Sequence, residues 1–250
     1  MNMMDANDDI GGPRVSEHIE ELRITDLHAF YGEGHALHGI DMTVYQGELV
    51  TLLGRNGAGR TTTLRSIVGL IGRRTGSIML KGVEVIARPP HFIAHLGVGY
   101  CPEERGIFAS LNVEENLMLP PVVAPGGMSV EELYEMFPNL AERRKSPGTR
   151  LSGGEQQMLA MARILRTGAN FLLLDEITEG LAPVIVDKLG DVLLELKTRG
   201  YTIVLVEQNF RFAAPLADRH FILDHGHIVE TVRKDELQAK QAVFEEYLSV

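Results

Sequence analysis

The stretch Gly54-Arg55-Asn56-Gly57-Ala58-Gly59-Arg60-Thr61-Thr62 is the punctuation around which the chain is organised. The apolar run Leu49-Val50-Thr51-Leu52-Leu53 leads into it, and Thr61 to Val68 leads out with helix-compatible spacing. Strand, glycine-rich turn and helix form the setting that a phosphate-binding loop requires. Glycines let backbone N–H groups turn inward around an anion. The new helix presents its unpaired amides and the positive end of its dipole to the same anion. The Thr61 hydroxyl follows the basic residue and can hold Mg²⁺. Arg60 stands where the usual pattern has Lys. A glycine-rich turn also occurs where a helix merely packs close to a strand, so the loop alone does not separate the two.

Two further stretches carry chemistry. In Leu151-Ser152-Gly153-Gly154-Glu155-Gln156-Gln157, a hydroxyl and two glycines stand just before a helical pattern. They form either a second anion cradle or an ordinary N-cap with a flexible approach. Two cradles this far apart either hold two phosphates or face a second copy of the fold. In Phe171-Leu172-Leu173-Leu174-Asp175-Glu176, a buried strand ends in two carboxylates. The carboxyl edge of a parallel sheet is where ligands bind. Asp175 is placed to reach Mg²⁺, directly or through water, and Glu176 to polarise an attacking water. The plainer reading is a solvated Asp-Glu at a strand end.

The chain has 250 residues, 44% of them hydrophobic, enough for one large domain or two small ones. The formal net charge of −10 argues against a protein that coats nucleic acid. Cys101 is the single cysteine, so no internal disulfide forms, in keeping with a reducing compartment. No apolar run approaches the ~18 residues of a membrane span. Residues 1–20 are polar and acidic with a Gly-Gly-Pro break, and read as a disordered tail rather than a signal peptide.

Apolar alternation predicts strands at Leu22–Phe30, Leu37–Tyr45, Leu49–Leu53, Ser77–Leu80, Val83–Ile86, Val98–Cys101, Phe171–Leu174 and Tyr201–Val206. A hairpin is expected from Phe221–Leu223 and Ile228–Val232, and a turn at Arg73-Arg74-Thr75-Gly76. Helical patterns fall at a short stretch opened by Pro89-Pro90 and ending near His95, at Val113–Leu117, at Val130–Phe137 with a capping box from Ser129 and Glu132, after Gly154, from Ile185 to Leu196, and from Gln238 to Leu248. Alternating strands and helices predict an α/β fold with a mostly parallel sheet. Residues 21–250 form one domain, with a helical subdomain at about 104–166 inserted into the core.

Taken together, the three stretches resemble the ATPase subunit of ATP-binding cassette (ABC) transporters, from about Leu22 to the C-terminus. Within that family the chain is most similar to the smaller type of branched-chain amino-acid importer ATPase. The likeness rests on Leu52-Leu53-Gly54 with Asn56-Gly57-Ala58-Gly59, Leu111 to Leu117, Gly154 to Leu159, Gly180-Leu181-Ala182-Pro183 and Val206-Glu207-Gln208-Asn209. Urea and short-amide importer ATPases share nearly all of these. The resemblance implies a P-loop NTPase with a RecA-like core, an antiparallel β subdomain and the helical insertion. It implies that Tyr31 stacks on adenine, and that Gly54 to Thr62 with Glu103 bind ATP. Thr61, Asp175 and Glu103 would hold Mg²⁺, Glu176 would be the general base, and Gln208 would bond the γ-phosphate. Leu151, Ser152, Gly153, Gly154 and Glu155 would complete the partner subunit's ATP site, and Glu179 to Ala182 would cross to that subunit.

The implied assembly is a homodimer or heterodimer of ATPase subunits with two transmembrane permease subunits, served indirectly by a periplasmic binding protein. No nucleic acid is implied. The chain would sit peripherally on the cytoplasmic face of the inner membrane. There are three departures from the family: Arg60 replaces Lys, Ile177 stands where Pro usually follows the catalytic Glu, and Thr178-Glu179 replaces small residues. Arg60 motivates a rival reading, a nucleotide-binding regulatory subunit that does not turn over ATP. A soluble ABC protein of DNA repair or translation needs tandem cassettes or a long coiled-coil insertion, and neither is visible in these residues. His91, His95, His225 and His227 read as solvated, and no Cys-His cluster suits zinc.

Overall fold

The computed structural model describes residues 19–248. Residues 1–18, most of the expected tail, lie outside these; the first strand already begins at Glu20. Strands β1 (Glu20–Tyr31) and β2 (Gly34–Tyr45) pair antiparallel, and β3 (Leu49–Leu53) runs into the glycine-rich loop. Helix α1 (Arg60–Ile67) leaves that loop, followed by β4 (Arg73–Leu80), β5 (Val83–Glu84), α2 (Pro90–Ala94) and β6 (Val98–Cys101). Four α-helices come next: α3 (Val113–Met118), α4 (Val130–Met136), α5 (Pro138–Glu142) and α6 (Gly153–Arg166). The chain continues through β7 (Phe171–Asp175), α7 (Pro183–Thr198), β8 (Thr202–Val206), α8 (Phe210–Ala213), β9 (Arg219–Asp224), β10 (His227–Arg233) and α9 (Gln241–Leu248).

The core is a six-stranded sheet in the order β10-β9-β3-β8-β7-β6, parallel except for the β9–β10 hairpin. A second, antiparallel sheet runs β2-β1-β4-β5. Every residue of β3, β7 and β8 is buried, because both faces of the larger sheet are covered. Successive side chains alternate between those faces. Leu49, Leu172, Leu174, Ile203 and Leu205 pack with α6 and α7 through Met158, Met161, Leu189 and Leu193. Val50, Leu52, Leu173, Val204 and Val206 pack with α1 and the antiparallel sheet through Leu64, Ile67, Leu22 and Ile40. Each such aliphatic chain contributes roughly 1.5–3 kcal/mol on burial. A smaller cluster of Leu53, Ala213, Ile222, Val232 and Phe244 seats α9 against the end of the sheet.

The strands and helices fall close to their expected places, with one correction and two additions. Arg73-Arg74-Thr75-Gly76 is not a turn but the start of β4, paired with β1 at Phe30, Ala29 and His28. Cross-strand pairing and arginine contacts outweigh the turn-like composition: the Arg73 guanidinium lies 4.4 Å over the Phe30 ring, and Arg74 donates to the carbonyls of Ile71 and Arg88. Gly76, at φ +103°, makes the irregularity, since a side chain there would strike the Asp26 carbonyl. The additions are α8 and α5. Helix α4 stops at Met136 because Phe137, preceding Pro138, is driven out of the helical region. Cys101 is fully buried at the end of β6, where Gln157 Nε2 lies 3.5 Å from its sulfur.

Candidate functional site

Because β3, β7 and β8 are adjacent and parallel, the residues that follow them emerge side by side. Gly54, Glu176 and Glu207 leave one edge, with Asp175 opposite Val206 in the register. Leu53 to Arg60 wrap this edge as a loop with left-handed backbone at Gly57 and Gly59. Gly59 is at φ +107°, and a Cβ there would stand 2.7 Å from Leu37, so β2 lies directly behind the loop. Asn56, Gly57, Gly59, Arg60, Thr61 and Thr62 line a cavity of about 540 Å³. Glu103, Glu176, Glu179, Gln208, His35, Ala36, His38 and His225 complete its walls. Gly54 and Ala58 do not line it. Arg55 turns away to donate to the Glu246 carbonyl at 2.9 Å.

Thr61 Oγ1 donates to Asp175 Oδ1 at 3.0 Å, and the Tyr100 hydroxyl to Asp175 Oδ2 at 3.1 Å. Burial raises the Asp175 pKa, against the pull of those two hydrogen bonds. The buried carboxylate thus meets two hydroxyls and no full cation at bonding distance. Hard oxygen donors set this way suit Mg²⁺. Glu103, Glu176 and Glu179 each offer an oxygen within 4.8 Å of the others on the same side of the cavity.

Arg60 is 4% exposed. Its Nη2 donates to Glu176 Oε1 at 2.7 Å and to Asn56 Oδ1 at 3.2 Å, while Nη1 is buried without a partner. An orphaned guanidinium donor in a phosphate-type loop fits an anionic oxygen. Gln208 Nε2 reaches Asn56 Oδ1 at 2.7 Å and both oxygens of Glu176, at 3.1 and 3.2 Å. Glu176 itself takes φ +48°, a conformation disfavoured for a side chain of its size, and its N–H donates to the Val206 carbonyl. Its carboxylate therefore has a fixed direction, with Arg60 and Gln208 on either side.

The departures at Ile177 and Thr178 find their reasons in packing. Ile177 is 1% exposed and belongs to the core. Thr178 donates through N and Oγ1 to Glu207 at 3.1 and 2.9 Å. Burial pushes the Glu207 carboxyl up to about 7. The anchoring role of Glu207 has no sequence signal, because its partner is in another segment. Glu179 is pushed up by its hydrogen bond to Glu176 and by that residue's charge.

Two expected groups lie elsewhere. Tyr31, half-exposed at the end of β1, lines a separate cavity of about 710 Å³ between the sheet and the helical insertion, with Arg65, Tyr100 and Arg163. Leu151 to Glu155 lie outside the loop's cavity. Ser152 caps α6 in a reciprocal box, its Oγ accepting from the Glu155 N–H at 3.3 Å and its N–H donating to Glu155 Oε2 at 2.7 Å. A Cβ at Gly154 would press on the Ile185 side chain at 2.9 Å, which would have to shift to admit it. Within one chain, the Gly54–Thr62 loop and the Ser152–Gly154 segment do not line a common cavity.

Among the described residues no helix is long and apolar enough to cross a membrane. The sequence model of the ABC transporter family matches residues 37–179. The high-affinity branched-chain amino acid transport ATP-binding protein BraG of Pseudomonas aeruginosa is 39% identical over 217 residues, covering 83% of this chain and 91% of the relative. The lipopolysaccharide export system ATP-binding protein LptB of Haemophilus influenzae is 33% identical, covering 91% and 96%. A dimeric ATP-binding cassette, solved in a post-hydrolysis state with ADP and phosphate, superposes with a TM-score of 0.76 at 23% identity, covering 85% of this chain and 98% of that one. The loop, the paired carboxylates and these matches agree, and the chain belongs to the ABC transporter family of ATP-hydrolysing cassettes.

Proposed function

We propose that this chain binds and hydrolyses ATP to power an ABC importer of branched-chain amino acids. The convergence of Arg60, Thr61, Glu176 and Gln208 on one cavity, with Asp175 bonded to Thr61 behind it, carries the reading. The Gly57–Thr62 loop takes the phosphates, with Arg60 Nη1 free to donate to one of them. Glu176 orients and deprotonates the attacking water, and Gln208 holds the γ-phosphate through its amide. Thr61 and Asp175, with Glu103, hold Mg²⁺, which when bound neutralises phosphate charge. Two subunits close on ATP, each supplying Ser152–Gly154 to the other's nucleotide. The separation of the two cradles within one chain supports this arrangement. The subunit docks peripherally on the cytoplasmic face of a membrane permease through Glu103 and the helical insertion. Exposed Phe108, Met118 and Leu119 near the larger cavity support that contact.

The substrate class follows the BraG likeness, stronger in identity than that to LptB. A urea or short-amide importer is the alternative substrate class. A second reading, a nucleotide-binding subunit with little turnover, is favoured by one observation. The 2.7 Å Arg60–Glu176 ion pair engages the base that hydrolysis needs. Phosphate release by the purified chain, alone and with its partner subunits, separates the two. Substrate-dependent ATP hydrolysis in reconstituted vesicles, with leucine against urea, tests the substrate class.

A further inference from the structure

Histidines form a continuous wall beside the phosphate loop. Asp26 Oδ1 lies 3.1 Å from His28 Nε2, and His28 Nδ1 lies 3.0 Å from His35 Nε2. The His35 ring stacks on Phe30 at 4.3 Å, its centroid is 3.9 Å from that of His38, and His38 stacks on His227 at 5.2 Å. The wall is tied to the loop by backbone: His38 N donates to the Gly226 carbonyl, and Gly226 N to the Ala58 carbonyl, each at 2.9 Å. His35 and His38 face the same cavity as Gly57, Gly59 and Arg60.

The hydrogen bonds assign the tautomers. The Asp26 carboxylate accepts from His28 Nε2–H, which leaves His28 Nδ1 as acceptor of the His35 Nε2–H. The open nitrogen of His35 is then Nδ1.

We propose, resting on the nucleotide reading above, that His35 and His38 are ligand-contacting residues, and that binding of a nucleoside triphosphate loads protons onto this wall. The charged groups facing it are few. On β1 and β2 they are Asp26, whose N–H is held by Asp41, and the other imidazoles. Arg73 of β4 covers Phe30, on the far side of the His35 ring, and lies 3.9 Å from Glu33. From the hairpin come His227, and His225 paired with Asp224. Across the cavity stand Arg60 and the carboxylates Glu103, Glu176 and Glu179. Without ligand, partial burial and the charges of His35, His227 and His28 lower the His38 pKa. A polyanion against the wall raises it, so affinity is higher below the bound-state pKa and falls as pH rises through it.

The test is calorimetric titration of the full chain with a non-hydrolysable ATP analogue and Mg²⁺, in buffers of different ionisation enthalpy, at pH 6 and pH 8. Wild type should take up more protons than His35→Gln/His38→Gln. Its affinity advantage over that variant should be roughly five- to tenfold at pH 6, the effect of a pKa shift near one unit, and small at pH 8. Comparison with the variant cancels the titration of the ligand itself. His35→Lys/His38→Gln, which carries a permanent charge and no imidazole at these two positions, should bind more tightly than His35→Gln/His38→Gln by the same factor at pH 6 and pH 8. Equal proton counts and an affinity ratio independent of pH would overturn the wall while leaving nucleotide binding intact. No binding by wild type at either pH would overturn the nucleotide reading, and the wall with it.

Discussion

Arg60 Nη2 donates to Glu176 Oε1 across 2.7 Å, joining the basic residue of the glycine-rich loop to the carboxylate that follows β7. The two side chains are 4% and 11% exposed, so the pair is shielded from water. An anion that enters the cavity competes with Glu176 for the guanidinium. In the proposed mechanism, release of Glu176 from this pair precedes its use as a base.

Arg60→Lys follows directly. A lysine ammonium carries the same charge without the planar fork that reaches Asn56 and Glu176 together. ATP binding should persist and turnover should rise, by up to about 10²-fold if the arginine holds reacting groups some 1 Å out of line. Phosphate release in the assembled complex reads this. Equal rates for the two proteins would mark Arg60 as neutral.

Glu176→Gln keeps the side chain's shape and one acceptor oxygen for Arg60 or Gln208, but removes the charge and the base. ATP binding should be retained, turnover should fall by roughly 10²–10⁴-fold, and an ATP-bound dimer should accumulate on gel filtration. Unchanged turnover would remove Glu176 from the mechanism.

Ser152→Ala tests the second cradle and the cap together. Loss of the Ser152–Glu155 box should cost about 1 kcal/mol of stability, seen as a lower Tm. Hydrolysis should drop, while the isolated chain's ATP affinity stays the same, because this cradle lies outside its own loop's cavity. A fall in monomer affinity would contradict the cross-subunit arrangement.

Glu207 predicts a pH dependence of stability. Its folded pKa, about 7, is raised from an ordinary 4.5, chiefly by burial. A raised carboxyl stabilises the fold below pH 4.5, and that contribution is lost as pH climbs to 7. Glu207→Gln keeps an acceptor for Thr178 and cannot ionise. Relative to wild type it should gain roughly 2–3 kcal/mol between pH 5 and pH 8. His220 works in the opposite sense, burial holding it at about 4, so its stabilisation is lost as pH falls from 6.5 towards 4. Denaturant unfolding at three pH values, on both proteins, isolates the Glu207 contribution.

The phosphate loop, Asp175, Glu176 and the alternation of strands and helices were legible because each is local: an apolar run, a turn residue and a helix start lie within a few positions. Arg73 to Gly76 misled for the same reason. Their composition is that of a turn, and only pairing with β1 makes them a strand. The histidine wall is invisible in one dimension, since it exists only where β1–β2 register sets His28 opposite His38 and the β9–β10 turn brings up His227. Thr178 and Glu207 meet only because β7 and β8 are neighbours. The place of Ser152 before a helix is legible in the spacing, but its hydroxyl is engaged by its own helix, a competition that spacing does not rank.

The burial of Cys101 has a practical side. It is the chain's single thiol, wholly enclosed, and burial raises its pKa to about 12, so it offers almost no thiolate to a maleimide at neutral pH. The native protein is therefore close to silent towards thiol-directed dyes and spin labels. A cysteine introduced at Phe108 or Ser152 would report from that position alone, without a cysteine-free background having to be engineered first.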